Sequence, residues 1–275
     1  MKKQHLFIVY TLCLLLAVPA AAVQETKSDR ATVQFSDPSR PGLLEASTFN
    51  GSITVKGTSR KDVSVEAQTQ TRSLSKRSSE KEGMKRIQLS TTGLEIEEKN
   101  NIMSIEVSSM QKTVDLVIEV PLNTSLILDG HNGGQITVEN IQGDIEVDHH
   151  NGPLSLTGIS GSIIANTFNG KVLVTFDRID PNKPMSFSTF NGDIDVTFPA
   201  ELKATALLKS ERGDILSDFD LVLETKPTKQ QKDEREKGGK FKISFDENIY
   251  GKINGGGPEY RFETHNGDII LRRSK

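Results

Sequence analysis

The chain has 275 residues, enough for one long domain or two small ones, and its 35% hydrophobic content and mean hydropathy of −0.40 are those of a soluble folded protein with a modest core. A formal net charge of −3 excludes bulk attraction to nucleic acid or to an anionic membrane. With no Trp and 3 Tyr, the chain has few large aromatic faces on which a sugar ring could stack.

The first segment reads as a secretory signal. Lys2 and Lys3 precede an apolar run from Leu6 to Val18, too short to span a bilayer comfortably, and Ala20-Ala21-Ala22 supplies the small residues that signal peptidase needs. The expectation is a cleavable signal helix over 1–22 with the mature chain starting at Val23. Removing it takes two lysines and no acid, leaving 32 basic and 37 acidic residues, a net of −5. Cys13, the only cysteine, lies inside this segment, so the mature chain has no disulfide and no thiol for lipidation. No transmembrane segment is expected after cleavage.

A polar leader over 23–40 holds a first strand. Alternating segments at 62–69, 86–90, 94–97, 102–107 and 114–120 read as strands with one buried face. Between them Arg72 to Lys85 is charged and Ser-rich, an exposed loop. Pro121 closes this strand-rich part (41–121) and opens a dense repeat region (122–216). Residues 226–240, KPTKQQKDEREKGGK, read as a charged, solvated excursion without fixed structure. A strand resumes at Phe241 to Phe245, Gly255 to Pro258 bends the chain, and C-terminal strands run to 273. No amphipathic helix follows the signal, and 41–275 is expected to be a single domain.

The repeat is a Gly-bearing turn, a polar residue, then two apolar residues two apart. Copies begin at Asn50-Gly51, Asn132-Gly133, Gly143, Asn151-Gly152, Gly161, Asn169-Gly170, Asn191-Gly192, Gly213 and Asn266-Gly267. Asn-Gly tolerates positive φ and so predicts a tight turn. Ile194 and Val196 point to one face of a strand and Asp193 and Asp195 to the other. From Gly133 the glycines step by 10, 9, 9 and 9 to Gly170, then by 22 and 21 to Gly192 and Gly213. Asn-bearing turns alternate with plain Gly turns, so a full coil is two short strands. An antiparallel meander would not need the same turn chemistry in every second turn. A solenoid does, because equivalent residues stack at roughly 4.8 Å. The fold class is therefore all-β, a β-solenoid or β-helix-like stack of short strands with Asn-Gly turns.

The run VPLNTSLILDGHNGGQITVENIQGDIEVDHHNGPLSLTGISGSIIANTFNGKVLV and the closing GGGPEYRFETHNGDIILR resemble the bacterial adhesin-like family DUF4097. The resemblance covers about residues 40–273. It implies an exported β-solenoid-like domain with a binding role and carries no catalytic motif to transfer; the 226–240 insert departs from it.

Candidate chemistry is sparse. His131, His149, His150 and His265 flank Asn-Gly turns, and His131 with His150 could form a weak zinc pair, with His149 or Asp148 completing the shell. But His131, His150 and His265 occupy the slot that Phe49, Phe168 and Phe190 fill in other copies, which marks packing. Asn132, Asn151, Asn169 and Asn191 should form a stacked amide row that Arg212 breaks. Asp144, Asp193, Asp214 and Asp268 lack the tandem Gly-Gly-x-Gly-x-Asp spacing of a calcium roll and read as solvating the outer face. No catalytic residue, cofactor or metal is expected, and the repeat-turn residues are structural. The reading is a non-enzymatic envelope protein, periplasmic, surface-bound or secreted. Its partner would be an envelope or surface ligand, a protein among them, or another copy through the solenoid ends, and not nucleic acid. The alternative is a polysaccharide-active enzyme on a β-helix scaffold.

Overall fold

The computed structural model describes residues 28–70, 92–224, 229–233, 241–245 and 248–275. The signal segment, the 72–85 loop and the 86–90 strand lie outside them. The strands, in chain order, are β1 (Ser28–Val33), β2 (Leu43–Thr58), β3 (Val63–Thr69), β4 (Leu94–Lys99), β5 (Ile102–Val107), β6 (Val114–Pro121) and β7 (Ser125–Glu139). Then come β8 (Ile145–Asn151), β9 (Leu154–Ile159), β10 (Ile163–Asn169), β11 (Val172–Phe176), β12 (Met185–Asn191), β13 (Ile194–Phe198), β14 (Ala204–Arg212) and β15 (Ile215–Ser217). The last are β16 (Leu221–Glu224), β17 (Lys229–Asp233), β18 (Phe241–Phe245), β19 (Ile249–Ile253), β20 (Glu259–Asn266) and β21 (Ile269–Arg273). Among the described residues there is no helix, and nineteen strands join in one sheet.

The sheet folds into two walls of a parallel solenoid, each rung giving one strand segment to each wall. Along the first wall the order is β5, the first half of β2, the first half of β7, β8, β10, β12, β20 and β14. Along the second it is β6, the second halves of β2 and β7, β9, β11, β13, β21 and β15. β2 and β7 run unbroken through the Asn-Gly corner, so in those rungs the corner is a bend within one strand.

Stacking does not follow chain order at either end. β2 lies between the β5/β6 rung and the β7 rung that follows it in sequence. The C-terminal rung β20/β21 enters between β12/β13 and β14/β15. The even repeat in the sequence suggested Gly213 stacking directly on Gly192; Gly267 stands between them instead.

Inward positions alternate as the period-2 pattern requires and fill the space between the walls with Leu44, Ile53, Leu126, Ile163, Val172, Phe187, Ile194, Phe262 and their equivalents. A single rung leaves these side chains bare above and below; stacking covers them, at roughly 1.5–3 kcal/mol for each large aliphatic group.

The corner glycines are needed for close approach more than for turn geometry. A Cβ at Gly170 would lie 2.0 Å from the carbonyl oxygen of Gly152, and one at Gly267 would lie 2.0 Å from that of Gly192. The column runs Gly51, Gly134, Gly152, Gly170, Gly192, Gly267, Gly213. Gly134 stands in it where the repeat pointed to Gly133. A one-residue bulge in β7 displaces Gly133, at φ +82°, into open space. Gly143 and Gly161 form the same contact at the opposite corner, where a Cβ on Gly161 would meet the Gly143 carbonyl at 2.0 Å.

Antiparallel strands close both ends: β4 on β5 and β3 with β1 on β6 at one end, β19 with β16 on β14 at the other. They interrupt the parallel repeat and limit what each end offers for further stacking. The charged excursion at 226–240 is not structureless throughout: Lys229–Asp233 pairs antiparallel with Phe241–Phe245. Backbone hydrogen bonding needs no apolar side chain, which is why composition did not reveal that strand.

Two buried hydroxyls, those of Thr124 and Tyr260, lack a hydrogen-bond partner among the described residues. Tyr260 is fully buried beside Phe198. Burial, with the charge of Asp180 adding, pushes its phenol up to about 12. Tyr260→Phe keeps the ring and removes the orphan hydroxyl. It should stabilise the chain by about 1 kcal/mol, read as a higher melting temperature.

Candidate binding face

Each rung's approach to the Asn-Gly corner places three kinds of side chain in fixed rows on the first wall. At the corner the asparagines stack. The Asn151 amide donates to Asn132 Oδ1 at 3.3 Å, Asn169 to Asn151 at 2.7 Å, Asn191 to Asn169 at 2.6 Å, and Asn266 to Asn191 at 2.7 Å. Asn50 donates to the Met110 carbonyl instead, and Arg212 stands opposite Asn266 at the other end.

Two residues before the corner residue, an inward hydroxyl tethers four of the rungs to their neighbours. Thr167, Thr189, Thr264 and Ser210 donate to the carbonyls of Gly152, Gly170, Gly192 and Gly267 at 2.9–3.1 Å. His149 occupies this row, only 4% exposed. Its ring nitrogens lie 2.6 Å from the Gly130 oxygen and 2.8 Å from the Gly134 oxygen. A carbonyl only accepts, so each contact is a hydrogen bond when that nitrogen carries its proton. Gly130 makes room: a Cβ there would lie 2.6 Å from His149 Nδ1. The sequence reading set His149 beside a possible metal pair. The structure turns it inward, away from His131 and His150.

One residue before each Asn, an outward ring stacks on the next. Phe49, His131, His150, Phe168, Phe190 and His265 form one continuous pile with centroids 4.6–5.2 Å apart. His131 and His150 lie face to face, 11° from parallel. Ring nitrogens point along the ring plane, so the two do not converge on a shared point between them. Among the described residues no group of three or more His, Cys, Asp or Glu is placed to hold a metal ion. The pile ends where His265 Nδ1 meets Glu211 at 2.7 Å. Phe168 and Phe190 remain 45% and 41% exposed.

Beside the pile runs an outward polar row, Asp129, Asp148, Asn166 and Ser188. The Asn166 amide donates to Asp148 at 2.9 Å, and the Ser188 hydroxyl donates to Asn166 at 2.7 Å. Between row and pile lies a shallow depression of about 340 Å³ walled by Asp129, Asp148, Asn166, His131, His150 and Phe168.

The repeat acids do more than solvate. Asp193 Oδ1 accepts the backbone N–H of Asp268 at 3.1 Å, and Asp268 Oδ1 accepts that of Asp214 at 2.8 Å. Asp144 accepts both N–H and hydroxyl of Ser162 and meets Lys183 Nζ at 2.7 Å. Burial raises the Asp144 carboxyl, but the Lys183 ammonium and the Ser162 donors together outweigh it and hold the group below its ordinary 3.8.

Of the repeat-turn residues, Asn132, Asn151, Asn169, Asn191 and Asn266 share the amide row, while Gly51, Gly152, Gly170, Gly192, Gly267 and Gly213 share the close-contact column. Gly143 and Gly161 lie at the other corner, Gly133 in the bulge, and Asn50 beside Met110.

Residues 145–272 match the family described as Toastrack DUF4097. No protein of curated function matches the sequence. A "putative cell adhesion protein" from Clostridium sporogenes aligns in structure at TM-score 0.48 and 14% identity, covering 91% of this chain and 100% of that one. A "putative adhesin" from Bacteroides fragilis aligns at TM-score 0.32 and 11% identity, covering 90% and 97%.

Asn169→Leu breaks two links of the amide row. It should cost about 1–2 kcal/mol and lower the melting temperature by several degrees in a thermal scan. Asp144 has a depressed carboxyl, so its stabilisation is present above the ordinary value of 3.8 and disappears as pH falls through the lower folded value. The melting-temperature gap between the parent chain and Asp144→Asn should therefore be full at about pH 6 and close as pH is taken below about 3.8.

Proposed function

With the Toastrack DUF4097 match over residues 145–272 as premise, we infer that the chain is an exported, non-enzymatic binding or scaffold protein of the cell envelope, adhesin-like as its sequence resemblance implies. The signal segment at 1–22 supports export to the periplasm, the surface or the medium, and the single sheet of nineteen strands supports one domain over 41–275. Among the described residues no helix is long and apolar enough to cross a membrane.

The observation that carries the reading is the outer face of the first wall. Six rings and a parallel polar row repeat the same chemistry rung after rung. Catalysis needs unlike groups converging on one reacting atom. A surface that repeats offers extended contact instead, and partly exposed Phe168 and Phe190 supply the apolar share of it.

Envelope fragments should retain the purified chain in a sedimentation assay. Phe168→Ser with Phe190→Ser should cut retention at least fivefold in protein that circular dichroism shows to be folded at the assay temperature. Leu173→Ser, an exposed apolar position on the second wall, should leave retention unchanged. Equal retention of all three proteins, or none by the parent chain, would set the reading aside.

A further inference from the structure

The outer face of the first wall is charged unevenly. Outward positions on β5, on the first halves of β2 and β7, and on β8 carry Glu106, Glu45, Asp129, Glu146 and Asp148, and no Lys or Arg. Among the described residues these five carboxylates have no ion-pair partner. Elsewhere acids meet a base on a neighbouring strand: Glu139 with Lys56 at 3.1 Å, Glu263 with Lys209 at 2.9 Å, Asp195 with Arg272 at 2.8 Å and Glu224 with Lys252 at 2.6 Å. On the first wall such a pair forms between β14 and β20, whereas from β5 to β8 none of these acids meets a base.

The rows on either side of Asp129 and Asp148 are partly apolar, Ile127 and Ile164 alternating with Glu45 and Glu146 in one of them. Ile127 and Ile164 flank the acidic row on one side, and the ring pile with Phe168 and Phe190 flanks it on the other; all four side chains are substantially exposed. The depression between His131, His150 and Phe168 opens onto Asp129 and Asp148.

We propose that this face docks a cationic protein segment, an extended stretch bearing Lys or Arg, laid along the solenoid axis over β7, β8 and β10. The proposal rests on the binding reading above and names its partner class. Lys and Arg carry apolar stems and charged heads. Stems lie against Ile127, Ile164 and Phe168, and heads reach Asp129 and Asp148, which sit one rung apart on adjacent strands. The unpaired carboxylates of this face raise the encounter rate with such a segment, and added salt lowers it. Polar and anionic segments satisfy neither row.

The test is fluorescence anisotropy with the purified chain and a labelled peptide of alternating Arg and Ser, compared with its Glu-Ser counterpart. The Arg peptide binds, more weakly as salt rises, and the Glu peptide does not. Asp129→Asn with Asp148→Asn weakens the Arg peptide at least tenfold, and Ile164→Ser at least threefold. Glu201→Gln with Asp220→Asn removes the same charge away from this face and leaves affinity within twofold. An equal loss in that control pair assigns binding to the diffuse field and overturns the docking site. So does an Arg peptide that fails to bind, or that binds only after residues 71–91 are deleted, which would make that basic segment of the chain the occupant. Envelope retention that persists while the Arg peptide fails removes the cationic partner and leaves the broader binding reading standing.

Discussion

Everything in this fold depends on how closely successive backbones approach at the corner. A Cβ at most positions of the glycine column would lie 2.0–2.2 Å from the carbonyl oxygen of the rung beside it, a distance no side chain can occupy. Glycine lets each corner sit directly on its neighbour. That contact fixes the register of both walls at once, because a slip of one residue would reverse every inward and outward side chain. The amide row, the inward hydroxyls and the ring pile are aligned by the same contact. Each tightens a spacing that the glycines make available.

Rows of identical chemistry stabilise differently from a globular core. An Asn in the middle of its row both donates and accepts, so its loss breaks links on two sides. A ring in the pile shields two neighbours from water while exposing its edge. His149 shows that the rows tolerate exchange when volume is balanced: an imidazole replaces a threonine because Gly130, one rung away, gives up its side chain. The depression on the outer face lies over this exchange, so the one irregular stretch of the inward row underlies an indented part of the surface.

Much of this was legible in the sequence, because a solenoid repeats locally what it does globally. The nine-residue step gave two strands per coil, and the alternation of Ile194 and Val196 with Asp193 and Asp195 gave the faces. Aligning the turns put Phe49, His131 and His150 in one slot and the asparagines in another. Three things could not be read. The bulge that substitutes Gly134 for Gly133 depends on one extra residue at a corner. The inward turn of His149 depends on a glycine nineteen positions earlier, as the Gly130 contact shows. The place of β20/β21 depends on contacts between Asn191 and Asn266, 75 residues apart, and a period read along the chain carries no information about which rung is skipped. The glycines themselves were recognised for turn freedom, whereas their neighbours in the stack are what demand them.

That skipped rung bears on the order in which the protein can be made. A solenoid whose rungs stack in chain order can add each coil as it emerges from the ribosome or from an export channel. Here β12/β13 and β14/β15 are synthesised early but are separated in the finished stack by 259–273, so their facing edges stay unsatisfied until the C-terminal strands arrive. The interior of the stack is thus the last part to close. A nascent chain caught before that moment carries two open parallel edges in its middle, with its capped end already formed.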